Sequence, residues 1–503
     1  MNNLKVLIQK IDLPDPPVVA ALGMALSFYG YNNIILWAAL VFLIVSIGLL
    51  RTLKFLSGLS TSGIHPKIIK FGLLAIAAAA GFCLGIVIRQ NLSGPIETGL
   101  PPERIVAVSG ILLEDPRSLQ GGSGMGVLEL TEVSGSGGVR ASASGQLTVF
   151  FPADSIPDLK EFGRGSHIYA DGIYRTGDRG PVFNASSVHI MKPAPTLESF
   201  RTGLRQSLLN QFQSRQGQSP PVWGPLASAL LLGVRDDLDV ALSVGFRNSG
   251  VSHILALSGM HLAIISALLA FLLKRPLGLK GASLAGAVFI VIYIFVAGSQ
   301  PSLVRAGIMY LLGAFAIWAS LKGKTLSLLC LAFILQLLFQ RESGLSVSFI
   351  LSYLALFGIL TLGENIHALF RGRLPEIVSG GLSASLGAFI VTAPVVVMYF
   401  GTLRPVGIVA GLILAPLCTV FMILSLAALL AGFLPVPLWD FLDIALTAIY
   451  RVIEFTVNLA GAVPGIETSN VAPVLIITII LWIMILYIKT WDDERRNRVA
   501  SFD

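Results

Sequence analysis

Charged residues are scarce in this chain. Of its 503 residues only 13% are Asp, Glu, Lys or Arg, whereas 54% are hydrophobic, and the mean hydropathy is +0.80. A water-soluble protein of this size could not bury so much apolar surface. The composition therefore excludes a soluble globular protein and predicts a polytopic α-helical membrane protein. The net charge of +7 is typical of a membrane protein whose basic residues collect in cytoplasmic loops.

Cysteine and the common catalytic motifs are also scarce. Cys83, Cys330 and Cys418 all lie in apolar segments, which excludes a disulfide framework and a CxxC metal pair. The six histidines are scattered and form no HExxH or HxHxDH pattern, so we expect no metal and no cofactor. Gly323-Lys324-Thr325 resembles the end of a phosphate-binding loop, but Trp318 stands where its first glycine belongs. We therefore expect neither an ATPase nor a nuclease in this chain.

The first 95 residues contain three apolar stretches, which predict three membrane spans. They cover about 17–31, 34–50 and 68–89. The loop after the second stretch is basic, so the positive-inside rule places it and the amino terminus in the cytoplasm. The third span then leads outside. Gly81 and Gly85 on this span suit close contact with another helix.

Residues 100–192 have a different sequence pattern: short segments in which apolar and polar residues alternate are separated by Ser-Gly-rich turns. The predicted strands are 104–113, 126–133, 147–151, 166–175 and 181–191. Five short strands in this length predict a small all-β domain such as an OB fold, which the topology places outside the cytoplasm. An OB fold binds single strands through stacked aromatic and basic side chains, here Phe150, Tyr169, Tyr174 and Arg175. However, the domain has eight basic and ten acidic residues, so it has no excess of positive charge to attract DNA. Aromatic side chains in strands also commonly pack in the core.

Residues 196–250 follow as amphipathic and interfacial helices, with arginines interleaved among apolar residues in a pattern that suits the membrane surface. A second membrane block covers 251–490, and the tail 491–503, which contains three arginines, is expected in the cytoplasm. Its predicted spans are 251–273, 281–299, 301–321, 325–340, 346–363, 377–400, 405–433, 437–463 and 471–489.

Two of these spans are unusual. The run 405–433 is long and contains Pro416, which predicts a broken helix bordering a cavity. The run 437–463 carries Asp440, Asp443, Arg451 and Glu454 on one face. This face either lines an aqueous path or belongs to a helix lying at the interface.

The stretch FRNSGVSHILALSGMH, from Phe246 to His261, places two imidazoles and a hydroxyl at the start of an apolar run. Polar groups within a span must be satisfied without bulk water, so they usually have a function. His253, Ser258 and His261 can line a polar conduit, form a hydrogen-bonded knot between helices, or form a Ser-His nucleophile. The segment contains no carboxylate to orient the histidine and no GxSxG pattern, so the nucleophile has no further support in the sequence.

Glycine and arginine residues near these side chains add two further expectations. Gly250 and Gly259 permit close packing or an unwound turn. Arg247 and Arg305 each have two interpretations: a guanidinium that extends to the membrane interface, or one that meets a phosphate in a pore mouth.

Several motifs occur in order along the second half of the chain. They are ALLLG at 229–233, FR and SG ahead of His253, SGMH at 258–261, PSxxRAxxM at 301–309, SFILSY at 348–353, AP at 393–394 and FG at 400–401. This series resembles the ComEC family of bacterial competence, in the form that lacks the C-terminal metallo-β-lactamase-like domain. Ile350 and Gly411 depart from the family pattern, which has polar side chains at these places.

The resemblance implies a channel in the bacterial cytoplasmic membrane that passes single-stranded DNA inward during natural transformation. It implies partners as well: the lipid bilayer, a DNA receptor outside, a separate nuclease, and a cytoplasmic helicase or single-strand-binding protein. The implied path is bordered by a set of motif residues, namely Arg247, His253, Ser258, Gly259, His261, Arg305, Ser352, Tyr353 and Pro416. Two alternatives stay open: an intramembrane serine-type hydrolase acting on a lipid or envelope precursor, and a transporter of a small anionic solute.

Overall fold

The computed structural model describes most of the chain and is mostly helical. The described residues are 15–30, 66–92, 96–119, 122–177, 180–213, 220–321, 324–431, 438–468 and 470–499. The predicted span at 34–50 and the end of the predicted tail lie outside them.

Two helices open the described part. Helix α1, Pro16–Tyr29, begins with proline at its first turn, where a missing N–H costs nothing. It packs against α2, Pro66–Gln90, along a line of glycines. A Cβ atom added at Gly23, Gly81 or Gly85 would collide with the facing helix. The predicted close helix contact at Gly81 and Gly85 is therefore present, between α2 and α1.

Eight strands follow between residues 97 and 192. They are β1 Glu97–Thr98, β2 Ile105–Leu112, β3 Arg117–Ser118, β4 Gly124–Gly135, β5 Arg140–Ser144, β6 Gln146–Phe151, β7 His167–Gly177 and β8 Gly180–Lys192. The five predicted strands correspond to β2, β4, β6, β7 and β8, and β6 ends directly before Pro152, which cannot donate to a sheet.

These five strands close into a barrel. Their ring order is β4-β2-β7-β8-β6 and back to β4, with β6 and β8 parallel and the other pairs antiparallel. Alternate residues of β4 and β6 point inward, so Leu128, Leu147 and Val149 are fully buried in an apolar core. Helix α3, Ile156–Phe162, connects β6 to β7 and packs Ile156 and Leu159 on that core.

Four helices lead from the barrel to the membrane block: α4 Thr196–Gln213, α5 Gly224–Leu232, α6 Val240–Asn248 and the single turn α7 Ser252–Leu255. Helix α5 is buried on all sides, because it lies between α4, the membrane helices and α7. Leu197, Phe200 and Leu204 of α4 are exposed on one face. The arginines of this helix, which the sequence pattern assigned to the membrane surface, face the barrel.

The second block is a helical bundle. Its helices are α8 Gly259–Ala297, α9 Pro301–Trp318, α10 Thr325–Phe339, α11 Val347–Gly358, α12 Glu364–Phe370, α13 Glu376–Phe400, α14 Val406–Ala431, α15 Leu438–Gly461 and α16 Val471–Val499. Helix α8 is interrupted at Gly278, whose φ is 68°, so it provides the two spans predicted here. A π-helical turn, Ile359–Gly363, joins α11 to α12. A small pair of strands, β9 Thr402–Leu403 and β10 Ile466–Glu467, ties two loops together.

Seven segments of the described residues are long and apolar enough to cross a membrane. They are Leu73–Gln90, Gly259–Ala297, Pro301–Trp318, Val347–Phe370, Glu376–Phe400, Val406–Ala431 and Phe441–Gly461. Shorter apolar helices cover Pro16–Tyr29, Thr325–Phe339 and Val471–Ile485. The prediction of a polytopic helical membrane protein with a small β domain agrees with this architecture.

Two details of the predicted spans are wrong. Helix α14 is continuous through Pro416, because one missing N–H leaves the other helical bonds intact in a well-packed helix. The span expected from residue 251 begins at Gly259, since Ala256 is extended and Ser258 caps the helix. Helix α16 contains the predicted span 471–489 and extends beyond it to Val499. The expected break at Pro416, and with it a cavity bordered by broken helix ends there, is therefore a wrong prediction.

Candidate functional site

The chain changes direction twice between α6 and α8. Gly250 has φ 74°, a conformation that L side chains rarely adopt, and a Cβ atom added to it would lie 3.0 Å from the backbone oxygen of Arg404 and 3.3 Å from Cα of Gly407. After the single turn α7, Ala256 is extended and Ser258 adopts β geometry as the N-cap of α8. The motif residues therefore lie at an unwound turn ahead of a membrane helix.

Ser258 and His261 form a capping box at the start of α8. The backbone N–H of Ser258 donates to Nδ1 of His261 at 3.0 Å, so the histidine occupies the place usually taken by Glu or Gln. Because Nδ1 accepts, the neutral ring carries its proton on Nε2. The His261 side chain is 1% exposed, and its Nε2 has no hydrogen-bond partner among the described residues.

This geometry does not favour a nucleophile. The hydroxyl of Ser258 lies 3.4 Å from Nδ1 of His261, and the backbone N–H of Ser258 already occupies that nitrogen. Within the described residues no carboxylate pairs with Nε2, which is where an orienting acid would bind. The pair therefore caps the helix, and Nε2–H of His261 is a donor without a partner among the described residues.

Arg305 lies on the other side of the same turn. It is 8% exposed, its Nη1 donates to the backbone oxygen of Ser352, and its guanidinium carbon lies 5.7 Å from the ring centroid of Tyr353. A Cβ atom added at Gly259 would approach Nη2 of Arg305 to 3.1 Å, so this glycine allows the guanidinium to reach the helix end. Its Nε has no hydrogen-bond partner in the described part of the chain.

A chain of hydrogen bonds fixes these elements to one another. The hydroxyl of Tyr353 donates to Oε1 of Gln336 at 2.8 Å, and Nε2 of Gln336 donates to the backbone oxygen of Pro301 at 2.9 Å. The hydroxyl of Ser302 donates to the backbone oxygen of Leu257 at 2.5 Å. The turn before α8 is thus connected to α9, α10 and α11. Sequence reasoning missed Gln336, although a glutamine inside the apolar run 325–340 was a usable signal.

His253 lies near this turn as well. Its side chain is exposed. Arg235, in the loop after α5, is close enough for its charge to act on His261. Among the described residues, no carboxylate forms an ion pair with Arg305, His253 or His261. The turn is therefore rich in hydrogen-bond donors and poor in acceptors.

The barrel is fastened directly beside this turn. Lys160 of α3 forms an ion pair with Asp236 at 2.7 Å, and the backbone N–H of Ser118 donates to Asp236 at 3.2 Å. Asp236 follows Arg235 in the chain. A Cβ atom added at Gly233 would meet Leu257 at 2.7 Å, so the loop at 233–239 contacts both the barrel and the turn before α8.

A buried ion network strengthens this attachment. Arg201 of α4, 2% exposed, donates to both carboxylate oxygens of Asp115 at 2.5 and 2.9 Å, and Arg205 binds the same carboxylate. Arg205 also donates to the backbone oxygen of Leu232. Burial alone would raise the pKa of Asp115, but the hydrogen bond and charges of the two arginines lower it. Sequence reasoning missed this network, because residues 115 and 201 are far apart in the chain.

The remaining candidate residues lie elsewhere. Arg247 is exposed in the last turn of α6, Ser352 contributes its backbone oxygen, and Pro416 is in the middle of α14. The structure therefore brings together Ser258, Gly259, His261, Arg305, Ser352 and Tyr353.

The barrel candidates do not share one surface. Phe150 of β6 lies opposite Asn184, and Arg175 of β7 lies opposite Val182, both of which belong to β8. Phe150 and Arg175 thus belong to the strands on either side of β8, and Arg175 is exposed. Tyr174 lies opposite Phe183 and packs against the barrel core, and Tyr169 lies opposite His189. In the described residues, no group of three or more His, Cys, Asp or Glu is arranged to hold a metal ion.

Comparison with known proteins adds a family. Residues 230–492 match the family model described as competence protein. ComE operon protein 3 of Bacillus subtilis (strain 168) is 29% identical over 287 residues, which cover 53% of this chain and 34% of that protein. An uncharacterised protein of Aquifex aeolicus (strain VF5) is 28% identical over 229 residues, which cover 45% of this chain and 52% of that protein. The chain thus spans about a third to a half of the length of these relatives, and no solved structure matches it.

Proposed function

The chain belongs to the competence protein family, known also as the ComEC family, whose model covers more than half of it, and on this premise we propose that it forms a DNA-uptake channel. The channel passes one strand of DNA inward across the bacterial cytoplasmic membrane during natural transformation. The relationship to ComE operon protein 3 supports this function, and so does the multi-span architecture.

The observation that carries the proposal is the donor-rich turn before α8. A phosphate backbone crossing hydrocarbon needs continuous contact with water, dipoles or cations. Arg305, His253 and His261 supply donors within the apolar bundle, and Gly250 and Gly259 bring backbone close to them. The same turn lies beside the barrel, so a strand leaving the barrel would reach it first.

The β domain, residues 100–192, is proposed to be an OB fold outside the cytoplasm. Its ring order and its single parallel pair, with a helix between the third and fourth barrel strands, support an OB fold. The basic loops of the bundle support the outside location through the positive-inside rule. Phe150 and Arg175 are the residues proposed to contact a single strand on its outer face.

The rest of the chain is assigned accordingly. Residues 1–95 form membrane spans, 196–250 form interfacial helices, 251–490 form the transport domain, and 491–503 lie in the cytoplasm with the amino terminus. The exposed apolar face of α4, formed by Leu197, Phe200 and Leu204, supports its contact with the membrane surface. The partners proposed are a DNA receptor outside, a separate nuclease, and a cytoplasmic helicase or single-strand-binding protein.

The two alternatives have less support. A serine-type hydrolase requires His261 to accept the proton of Ser258, whereas Nδ1 is occupied by a backbone N–H. A transporter of a small anionic solute would use the same donors but leaves the attached barrel without a role.

DNA uptake by cells tests the proposal. A competent host whose own copy of the gene is deleted should bind end-labelled DNA but leave it sensitive to added nuclease. Expression of this chain should restore the nuclease-protected, single-stranded label. Normal protection in the deleted strain, or no restoration by a correctly inserted chain, would contradict the proposed channel. Labelling of Ser258 by a fluorophosphonate would instead support the hydrolase.

A further inference from the structure

A buried cation beside a positive helix end is the least expected feature of the site. Each helix N-terminus carries a partial positive charge from N–H groups that lack intrahelical partners. Arg305 places Nη2 against Gly259, the first residue of α8, and it is 8% exposed. Two positive groups at close range destabilise one another, and in the described residues no carboxylate offsets them.

Several donors at this helix end have no acceptor. Nε of Arg305 and Nε2 of His261 are buried without a hydrogen-bond partner within the described residues. The N–H groups of Gly259 and Met260 likewise have no acceptor in the described part of the chain. Buried donors without acceptors are costly, and they are satisfied when a ligand brings the acceptors.

We infer that Arg305, His261 and the first turn of α8 form a binding site for one oxyanion of a phosphodiester. A phosphate at a helix N-terminus accepts hydrogen bonds from free N–H groups and from a guanidinium, and it neutralises both positive charges. This inference rests on the proposed function, which identifies the phosphate as one of a DNA strand. Because the contacts are to phosphate, the site recognises the backbone and is indifferent to the bases.

The role of His261 as a cap allows a variant pair that separates the two roles. Gln and Glu are the usual residues at this position of a capping box, so both H261Q and H261E should keep the helix end folded. The glutamine variant remains neutral, whereas the glutamate variant places a negative charge where the phosphate oxyanion binds. If His261 serves only as a cap, the two variants should behave alike.

The test uses the full chain in lipid nanodiscs and three probes: an abasic phosphodiester oligomer, a methylphosphonate oligomer of equal length, and inorganic phosphate. Fluorescence anisotropy should show binding of the abasic oligomer and competition by inorganic phosphate, but no binding of the uncharged methylphosphonate. H261E and R305Q should each weaken the binding by at least about tenfold, as expected for one charge-assisted contact. H261Q removes the imidazole donor but adds no charge, so it should weaken the binding less than H261E does, and the exposed control R373Q should bind like the unchanged protein.

Equal binding of the abasic and methylphosphonate oligomers, or unchanged binding by H261E, would overturn the inference. Nanodiscs that contain phosphatidylglycerol test whether the bound phosphate comes from a lipid headgroup. If this lipid competes in the unchanged protein and not in H261E, the site belongs to a lipid phosphate and the phosphodiester assignment is wrong. Normal DNA uptake by H261E cells would refute this site while leaving the channel intact. If the unchanged chain binds the oligomer but does not support DNA uptake, the proposed channel function is refuted and the binding site stands.

Discussion

At the scale of single residues, the hydroxyl of Tyr353 decides whether Gln336 is satisfied. Gln336 is fully buried in an apolar helix, and its Oε1 accepts from Tyr353. An amide oxygen in such a place has no water to replace a lost partner, so its partner contributes more than a surface hydrogen bond would. The same tyrosine ring lies against the guanidinium of Arg305, which makes Tyr353 a positioning residue for the site.

Tyr353→Phe should therefore destabilise the bundle by about 1–3 kcal/mol, the usual cost of one unsatisfied buried polar group. Thermal unfolding in detergent measures this effect as a lower transition temperature. The matched control is Tyr310→Phe, because within the described residues the hydroxyl of Tyr310 makes no hydrogen bond. An equal change in both variants would mean that the bond to Gln336 contributes nothing specific.

At the scale of elements, the attachment of α4 to the barrel depends on one carboxylate. Asp115 follows the barrel strand β2, and both Arg201 and Arg205 of α4 bind it. A buried arginine that loses its partner is strongly destabilising, since its charge stays away from water. Helix α4 in turn holds the backbone of Leu232 through Arg205. One network of ion pairs and hydrogen bonds therefore joins the barrel, α4 and the end of α5.

This network predicts a pH dependence for the attachment. The arginines hold the pKa of Asp115 below its ordinary value of about 3.9, so the ionised carboxylate stabilises the attachment above that pH. The contribution is lost as the pH falls through the lowered pKa. The protection of the α4 amides, measured relative to their intrinsic exchange rate at each pH, should thus stay high down to about pH 4 and fall below it. Asp115→Asn should show low protection at every pH, and a loss of protection already near pH 6 in the unchanged protein would contradict the assignment.

At the scale of the whole molecule, the proposed orientation makes the barrel and the loop 371–373 lie on opposite sides of the membrane. Ser136 is exposed in a barrel turn, and Arg371 is exposed between α12 and α13. Both positions tolerate a small substitution, because neither side chain is buried. Cys83 is the exposed one of the native cysteines, so it is replaced to leave the introduced thiol as the one exposed cysteine.

A membrane-impermeant maleimide tests this arrangement in intact cells. In a Cys83→Ser background, Ser136→Cys should be labelled from outside, whereas Arg371→Cys should be labelled only after the membrane is opened. Labelling of both from outside would contradict the placement of the two sites on opposite sides, and labelling of Arg371→Cys alone would place the barrel in the cytoplasm and reverse the proposed direction of transport.

The sequence by itself determined the membrane class, the positions of the barrel strands and the family. Each of these features depends on residues that are close together in the chain. Alternation of apolar and polar residues indicates β4 and β6, apolar runs indicate the bundle, and SGMH with PSxxRAxxM indicates the family. A proline alone did not determine whether α14 breaks at Pro416, because the neighbouring helices hold the rest of that helix together.

Only the tertiary structure decided which polar residues meet. Arg305, Gly259 and Tyr353 lie on three separate helices, and Asp115 meets Arg201 across 86 residues of chain. Spacing along the chain does not encode such contacts, since they depend on how whole elements pack. The use of His261 as a helix cap was also hidden, because its partner is a backbone N–H and no side-chain pattern reveals it.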